Sequence, residues 1–222
     1  MKTRAISVLL LASLCLLLST SAVAGDYNLY DNGPISGQTE AWIINYGYVV
    51  SNSFTLSPSV QSVSGFAFGA WEFPGDTLTS VQWSLTTAAN GGMVIASGTA
   101  SGSSLIDKFL FTNAYGYNVD QISVSGLSVL SPKGGTYWLN LSNATVPSGN
   151  LVAWDENGGV GCTGQGCPSQ AVANNGIGPI PSEAFTITGI SEPNGLTVMF
   201  GGGFLAFAGV SLRKLKGFHR ST

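Results

Sequence analysis

The sequence predicts an all-β domain, an antiparallel β-sandwich of jelly-roll-like form, and three observations predict it. Charged residues make up only 9% of the 222-residue chain, against about a quarter in ordinary soluble domains. Glycine numbers 30 and recurs with Ser, Thr and Asn in short clusters that have the chemistry of turns. Between those clusters lie short segments in which apolar and polar side chains alternate, with no helical period.

The first element precedes the domain. Met1-Lys2-Thr3-Arg4 is a positive start, ISVLLLASLCLLL an apolar core, and Ala22-Val23-Ala24 a small-residue cleavage site. That order of parts predicts a cleaved secretory signal peptide over residues 1–24.

The body, residues 25–190, then gives about ten strand candidates in turn: AWIINYGYVV, SFTLS, SGFAFGAW, LTSVQWSL, MVIAS, LIDKFLF, DQISVSG, TYWLNLS, NLVAW and AFTIT. Phe66, Phe68 and Ala70 share one face of their strand, Val81, Trp83 and Leu85 one face of theirs, and Ile122 and Val124 another. Asp31-Asn32-Gly33-Pro34, Phe73-Pro74-Gly75-Asp76, Asn90-Gly91-Gly92, Pro132-Lys133-Gly134-Gly135 and Asn157-Gly158-Gly159 supply the turns. Strands at this spacing suggest two packed antiparallel sheets. Cys162 and Cys167 are the cysteines left after signal removal, and in an oxidising compartment the pair is expected to form a disulfide.

The last element, residues 191–222, departs from this pattern. Leu196 to Leu212 is apolar or small throughout, and Arg213, Lys214 and Lys216 follow. A helix of that length spans roughly 25 Å, near the lower limit for a bilayer core. The basic cluster places the upstream chain outside the cell. A single C-terminal transmembrane helix is therefore expected.

The order Ser191-Glu192-Pro193, glycine-rich apolar stretch and basic cluster resembles the PEP-CTERM sorting signal of Gram-negative bacteria, with Ser191 where the motif's first proline would stand. The resemblance covers roughly the last thirty residues. It implies export, transient residence in the inner membrane, recognition by an exosortase, a membrane-embedded cysteine transpeptidase, and release to the cell surface or extracellular matrix. It implies nothing about what the exported body does.

Charge and residue types narrow the chemistry. Between Asp26 and Glu192 two lysines stand against eleven acidic residues, a net charge of −9. Such a body repels nucleic acid. The single histidine, His219, lies beyond the apolar tail, so the exported part has no imidazole base for a Ser-His-Asp or Cys-His hydrolase. A non-enzymatic surface or matrix protein, adhesive or polysaccharide-associated, is the first expectation. Trp71, Trp154, Tyr115 and Tyr117 are the candidate sugar-stacking residues, since they sit at strand ends or in a loop beside polar groups.

Two alternatives stay open. One is a carbohydrate-active enzyme using a carboxylate pair drawn from Glu40, Glu72, Asp76, Asp155, Glu156 and Glu183. The other is an envelope protein whose anchor is permanent. No cofactor is required by any motif; calcium is the one candidate ion, with Asp31, Asp155 and Glu156 as oxygen ligands in turn clusters.

Overall fold

The structure, a computed structural model, describes residues 27–130, 134–158, 170–174 and 176–191. Residues 1–24, expected to be a signal peptide, Cys162 and Cys167, Glu192 and Pro193, the apolar tail and its basic cluster lie outside the described residues. Among the described residues no helix is long and apolar enough to cross a membrane.

Among the described residues thirteen strands form two antiparallel sheets packed as a β-sandwich. The strands are β1 (Tyr27–Asp31), β2 (Ala41–Ile43), β3 (Val49–Leu56), β4 (Val60–Glu72), β5 (Ser80–Ala88), β6 (Gly91–Ser101) and β7 (Leu105–Thr112). Then come β8 (Asn118–Leu130), β9 (Gly135–Thr145), β10 (Ala153–Asp155), β11 (Ala171–Ala173), β12 (Gly178–Ile180) and β13 (Phe185–Ser191). The second sheet runs β12-β11-β3-β9-β5-β6.

The first sheet is organised by β4. One edge of β4 carries β8, which in turn carries β7. The other edge is shared: β13, with β1 beyond it, covers residues 60–68, and β10, with β2 beyond it, covers residues 70–71. Gly69 lies at the change of partner, where its N–H donates to the Ala184 carbonyl at 3.2 Å.

The alternation read from the sequence sets which face each strand buries. Phe66, Phe68 and Ala70, Val81, Trp83 and Leu85, and Ile122 and Val124 are all buried in the core. The turn at 73–76 also forms, with the Asp76 N–H donating to the Phe73 carbonyl at 3.0 Å and Gly75 at φ 92°. That left-handed position is one that glycine takes without strain.

One expectation is corrected, and three strands are added to those read from the sequence. AWIINYGYVV is not one strand: Tyr46 (φ 54°) and Gly47 (φ 84°) turn the chain between β2 in the first sheet and β3 in the second. Three short strands, β1, β11 and β12, carry too few alternating residues to be read as strands from their sequences.

Trp154 is the centre of the core. It is fully buried, its ring meets Phe68 and Phe185 edge-on at centroid distances of 6.0 and 5.6 Å, and its Nε1–H donates to the Ala184 carbonyl at 2.9 Å. No sugar can reach it, so this tryptophan, proposed from sequence as a stacking residue, is a packing residue instead. Trp154→Ala is expected to destabilise the domain by about 3–5 kcal/mol, and Trp154→Phe by clearly less, in urea denaturation.

Candidate functional site, an aromatic ledge and buried carboxylates

The end of β4 sends consecutive side chains to opposite faces of the first sheet, as strand geometry requires. Trp71 turns outward. There it joins a small second apolar cluster with Val119 and Ala153, against Ile35, Ala41, Ile43, Tyr117 and Leu151.

Asp155 fixes Trp71 in place. The Trp71 Nε1–H donates to Asp155 Oδ1 at 2.6 Å, the Ser36 N–H to Oδ2 at 2.8 Å and the Gly37 N–H to Oδ1 at 3.1 Å. Burial pushes the Asp155 carboxyl up, and these donors pull it back. Gly37 has φ 61°, and a Cβ there would come within 2.7 Å of Val119 and 2.8 Å of the Phe111 ring, so only glycine brings this loop against β7 and β8.

Outward of Trp71 lies an aromatic ledge. Tyr115 and Tyr117 both stack on the indole, at centroid distances of 5.6 and 5.8 Å and interplanar angles of 28° and 30°, and Phe73 meets Tyr117 edge-on at 5.1 Å. Trp71 is only 7% exposed, whereas Tyr115 is 60% exposed and Phe73 37%. Thus Trp71 is the foundation of the ledge and Tyr115 its accessible face.

The β7–β8 hairpin holds Tyr115 and Tyr117 through Asn113. Its Oδ1 accepts the N–H groups of both tyrosines at 3.0 Å, and its buried Nδ2 has no hydrogen-bond partner among the described residues. Beside the ledge a groove of about 540 Å³ is lined by residues 35–38 and 111–115. Of the four stacking candidates, the structure therefore brings Trp71, Tyr115 and Tyr117 together and removes Trp154.

Glu72, the next residue, turns inward. It is fully buried at the end of the sandwich interior, and it forms a cluster with Asp107 of β7 and Asp120 of β8 in which one carboxylate oxygen from each lies within 4.8 Å of the others. Burial, then the negative charges of Asp107, Asp120 and Asp76, pushes the Glu72 carboxyl up to about 8. Burial and Asp107 push Asp120 up to about 6, and burial raises Asp107. Asp76 behaves oppositely, held low by hydrogen bonds from Ser148 and Asn150.

The carboxylates named from sequence as calcium ligands have other roles. Asp155 is the anchor described above. Glu156 Oε1 accepts the Trp42 Nε1–H at 3.0 Å, and Asp31 Oδ1 accepts the Gly33 N–H at 2.9 Å in the turn after β1. None of the three belongs to the Glu72 cluster. Asp107 and Asp120 escaped the sequence reading, although an acid standing where alternation calls for an apolar side chain was a usable signal: Asp120 is two residues before Ile122, and Asp107 two after Leu105.

No protein-family model matches the chain, and no curated protein matches it either.

Glu183 gives a test of the interior electrostatics. It is fully buried, neither carboxylate oxygen has a hydrogen-bond partner among the described residues, and burial, then the charges of Glu156, Asp155 and Glu40, raises its carboxyl well above the ordinary range. A raised value means that the folded chain holds a proton that the unfolded chain has released, so stability falls as pH rises above about 4.5. Glu183→Gln is expected to flatten that fall between pH 5 and 8 and to stabilise the domain at pH 8 by on the order of 1 kcal/mol or more. Denaturant titrations of both proteins at the two pH values check this, and an unchanged slope would contradict it.

Proposed function

We propose that the chain is a non-enzymatic secreted protein of the cell surface or extracellular matrix, that a PEP-CTERM-like tail delivers it, and that its jelly-roll-like sandwich holds neutral polysaccharide on the aromatic ledge. The observation that carries this reading is the stack of Tyr115 and Tyr117 on Trp71, with Tyr115 60% exposed. Aromatic faces beside a groove with a few polar groups are how a surface takes up an amphipathic ring. Gln38, Thr112 and Asn113 are polar residues in the groove lining. The net charge of −9 between Asp26 and Glu192 favours neutral over anionic chains.

The enzyme alternative draws less support. Of the six carboxylates named for it, Glu72, Asp155, Glu156 and Glu183 are buried, which withholds them from a glycosidic bond. Glu40 and Asp76 are the two with access to solvent.

Binding of neutral glycans by the purified full-length chain tests the ledge. Tyr115→Ala is expected to weaken binding about fivefold, since a stacked ring contributes on the order of 1 kcal/mol, and to leave the unfolding temperature nearly unchanged. Absence of glycan binding, or equal binding by the variant, would overturn this part. Delivery is tested separately by mass spectrometry of the surface fraction. The expected protein begins near Gly25 and ends near Glu192-Pro193; a C-terminus intact through Thr222 would refute processing.

A further inference from the structure

We propose that Glu72, Asp107 and Asp120 form a binding site for a hard divalent cation, calcium foremost, inside the end of the sandwich. The proposal stands apart from the glycan reading and uses residues on the opposite face of β4 from the ledge.

Strand register assembles the three. Ala70 pairs with Asp120 across β4 and β8, and Phe109 pairs with Asp120 across β7 and β8. Paired residues share a face, and so do residues two apart along a strand. Glu72, two beyond Ala70, and Asp107, two before Phe109, therefore flank Asp120 on the inward face of three adjacent strands. The sole cationic side chain among the described residues, Lys108, follows Asp107 in β7 and alternates to the other face.

Glu72 is the second observation. Its carboxyl is fully buried, no N–H or hydroxyl group among the described residues donates to either oxygen, and its side-chain partner is the Asp107 carboxyl of the same cluster. A buried carboxylate without donors is expensive to maintain. Asp107, by contrast, has a donor on one side, the Leu78 N–H at 2.7 Å from its Oδ2. A proton shared with a neighbouring acid, a buried water or a bound cation can satisfy Glu72, and of these a cation satisfies all three acids together.

The ligand set favours calcium among such ions. The three carboxylate oxygens lie within 4.8 Å of one another, close enough to reach one ion at Ca–O bonds of about 2.4 Å. Each carboxylate can bind through one oxygen or two, as calcium's variable coordination allows, whereas magnesium prefers to keep its own water.

The test is the unfolding temperature of the purified full-length chain in chelator, in millimolar calcium and in millimolar magnesium. Calcium is expected to raise it by about 5–10 °C, magnesium by less, and Glu72→Gln and Asp120→Asn each to abolish the rise. Equal unfolding temperatures in chelator and calcium, with no heat of calcium binding by calorimetry, would mean that protons or water satisfy the acids, and the proposal would fall. If a variant does not fold, manganese added to the wild-type chain locates the site by paramagnetic broadening of amide signals. Broadening centred on residues 72, 107 and 120 supports the assignment; broadening centred on Asp155 and Glu156, or spread over the surface, overturns it.

Discussion

The buried carboxylate of Asp155 is the interaction on which the end of the molecule that carries the aromatic ledge depends. It collects the indole N–H of Trp71 and the backbone N–H groups of Ser36 and Gly37, and so ties together the end of β4, the three-residue strand β10 and the loop before β2. It can stand there only because Gly69 has no side chain: a Cβ at Gly69 would come within 2.8 Å of Asp155 Cβ and 2.9 Å of Ile35. Burying one anion is unfavourable, and three aimed donors offset it. The ledge inherits its rigidity from this point, since the stacking of Tyr115 and Tyr117 needs an indole that does not move.

A second constraint is the period of two along a strand. One step along the chain, from Trp71 to Glu72, passes from the aromatic ledge to the acidic interior, so a single strand end furnishes two environments of opposite character. The interior is graded accordingly. Phe66, Phe68, Trp154 and Phe185 pack its middle, while Glu72, Asp120, Glu183 and Asn52 occupy buried positions of their own. Asn52 Oδ1 accepts the Glu183 N–H at 2.8 Å, which joins β3 of the second sheet to the segment entering β13 of the first.

Much of the fold was legible because alternation and burial express the same physics: the residues read as inward-facing at 66–70, 81–85 and 122–124 are those the core covers. The site was legible only in part. Trp71 and Trp154 look alike in the sequence, each a tryptophan at a strand end followed by an acid. They differ in which face of the sheet they take, and that depends on the pairing of Trp154 with Ala70 and Trp42. The Glu72 cluster was hidden for a similar reason, because Asp107 and Asp120 reach it through the register of β7, β8 and β4 rather than through any local motif. The change of sheet at Tyr46 was hidden because positive φ at a non-glycine residue has no reliable sequence signature.

The distribution of charge connects these points. Glu72, Asp120, Asp155, Glu156 and Glu183 are all buried, so a chain with few charged residues places many of its acids inside rather than on its surface. Much of the outer polarity is carried instead by hydroxyl and amide pairs: Thr55 with Thr136 at 3.1 Å, Thr79 with Thr145 at 2.9 Å, Ser80 with Thr145 at 2.7 Å, and Asn143 with Gln82 at 2.7 Å. A surface of this kind hydrates well and exerts only weak long-range forces on a neutral polymer. On the proposed reading, attachment to polysaccharide therefore rests on short-range stacking at the exposed face of Tyr115, over an indole that its hydrogen bond to Asp155 holds in place.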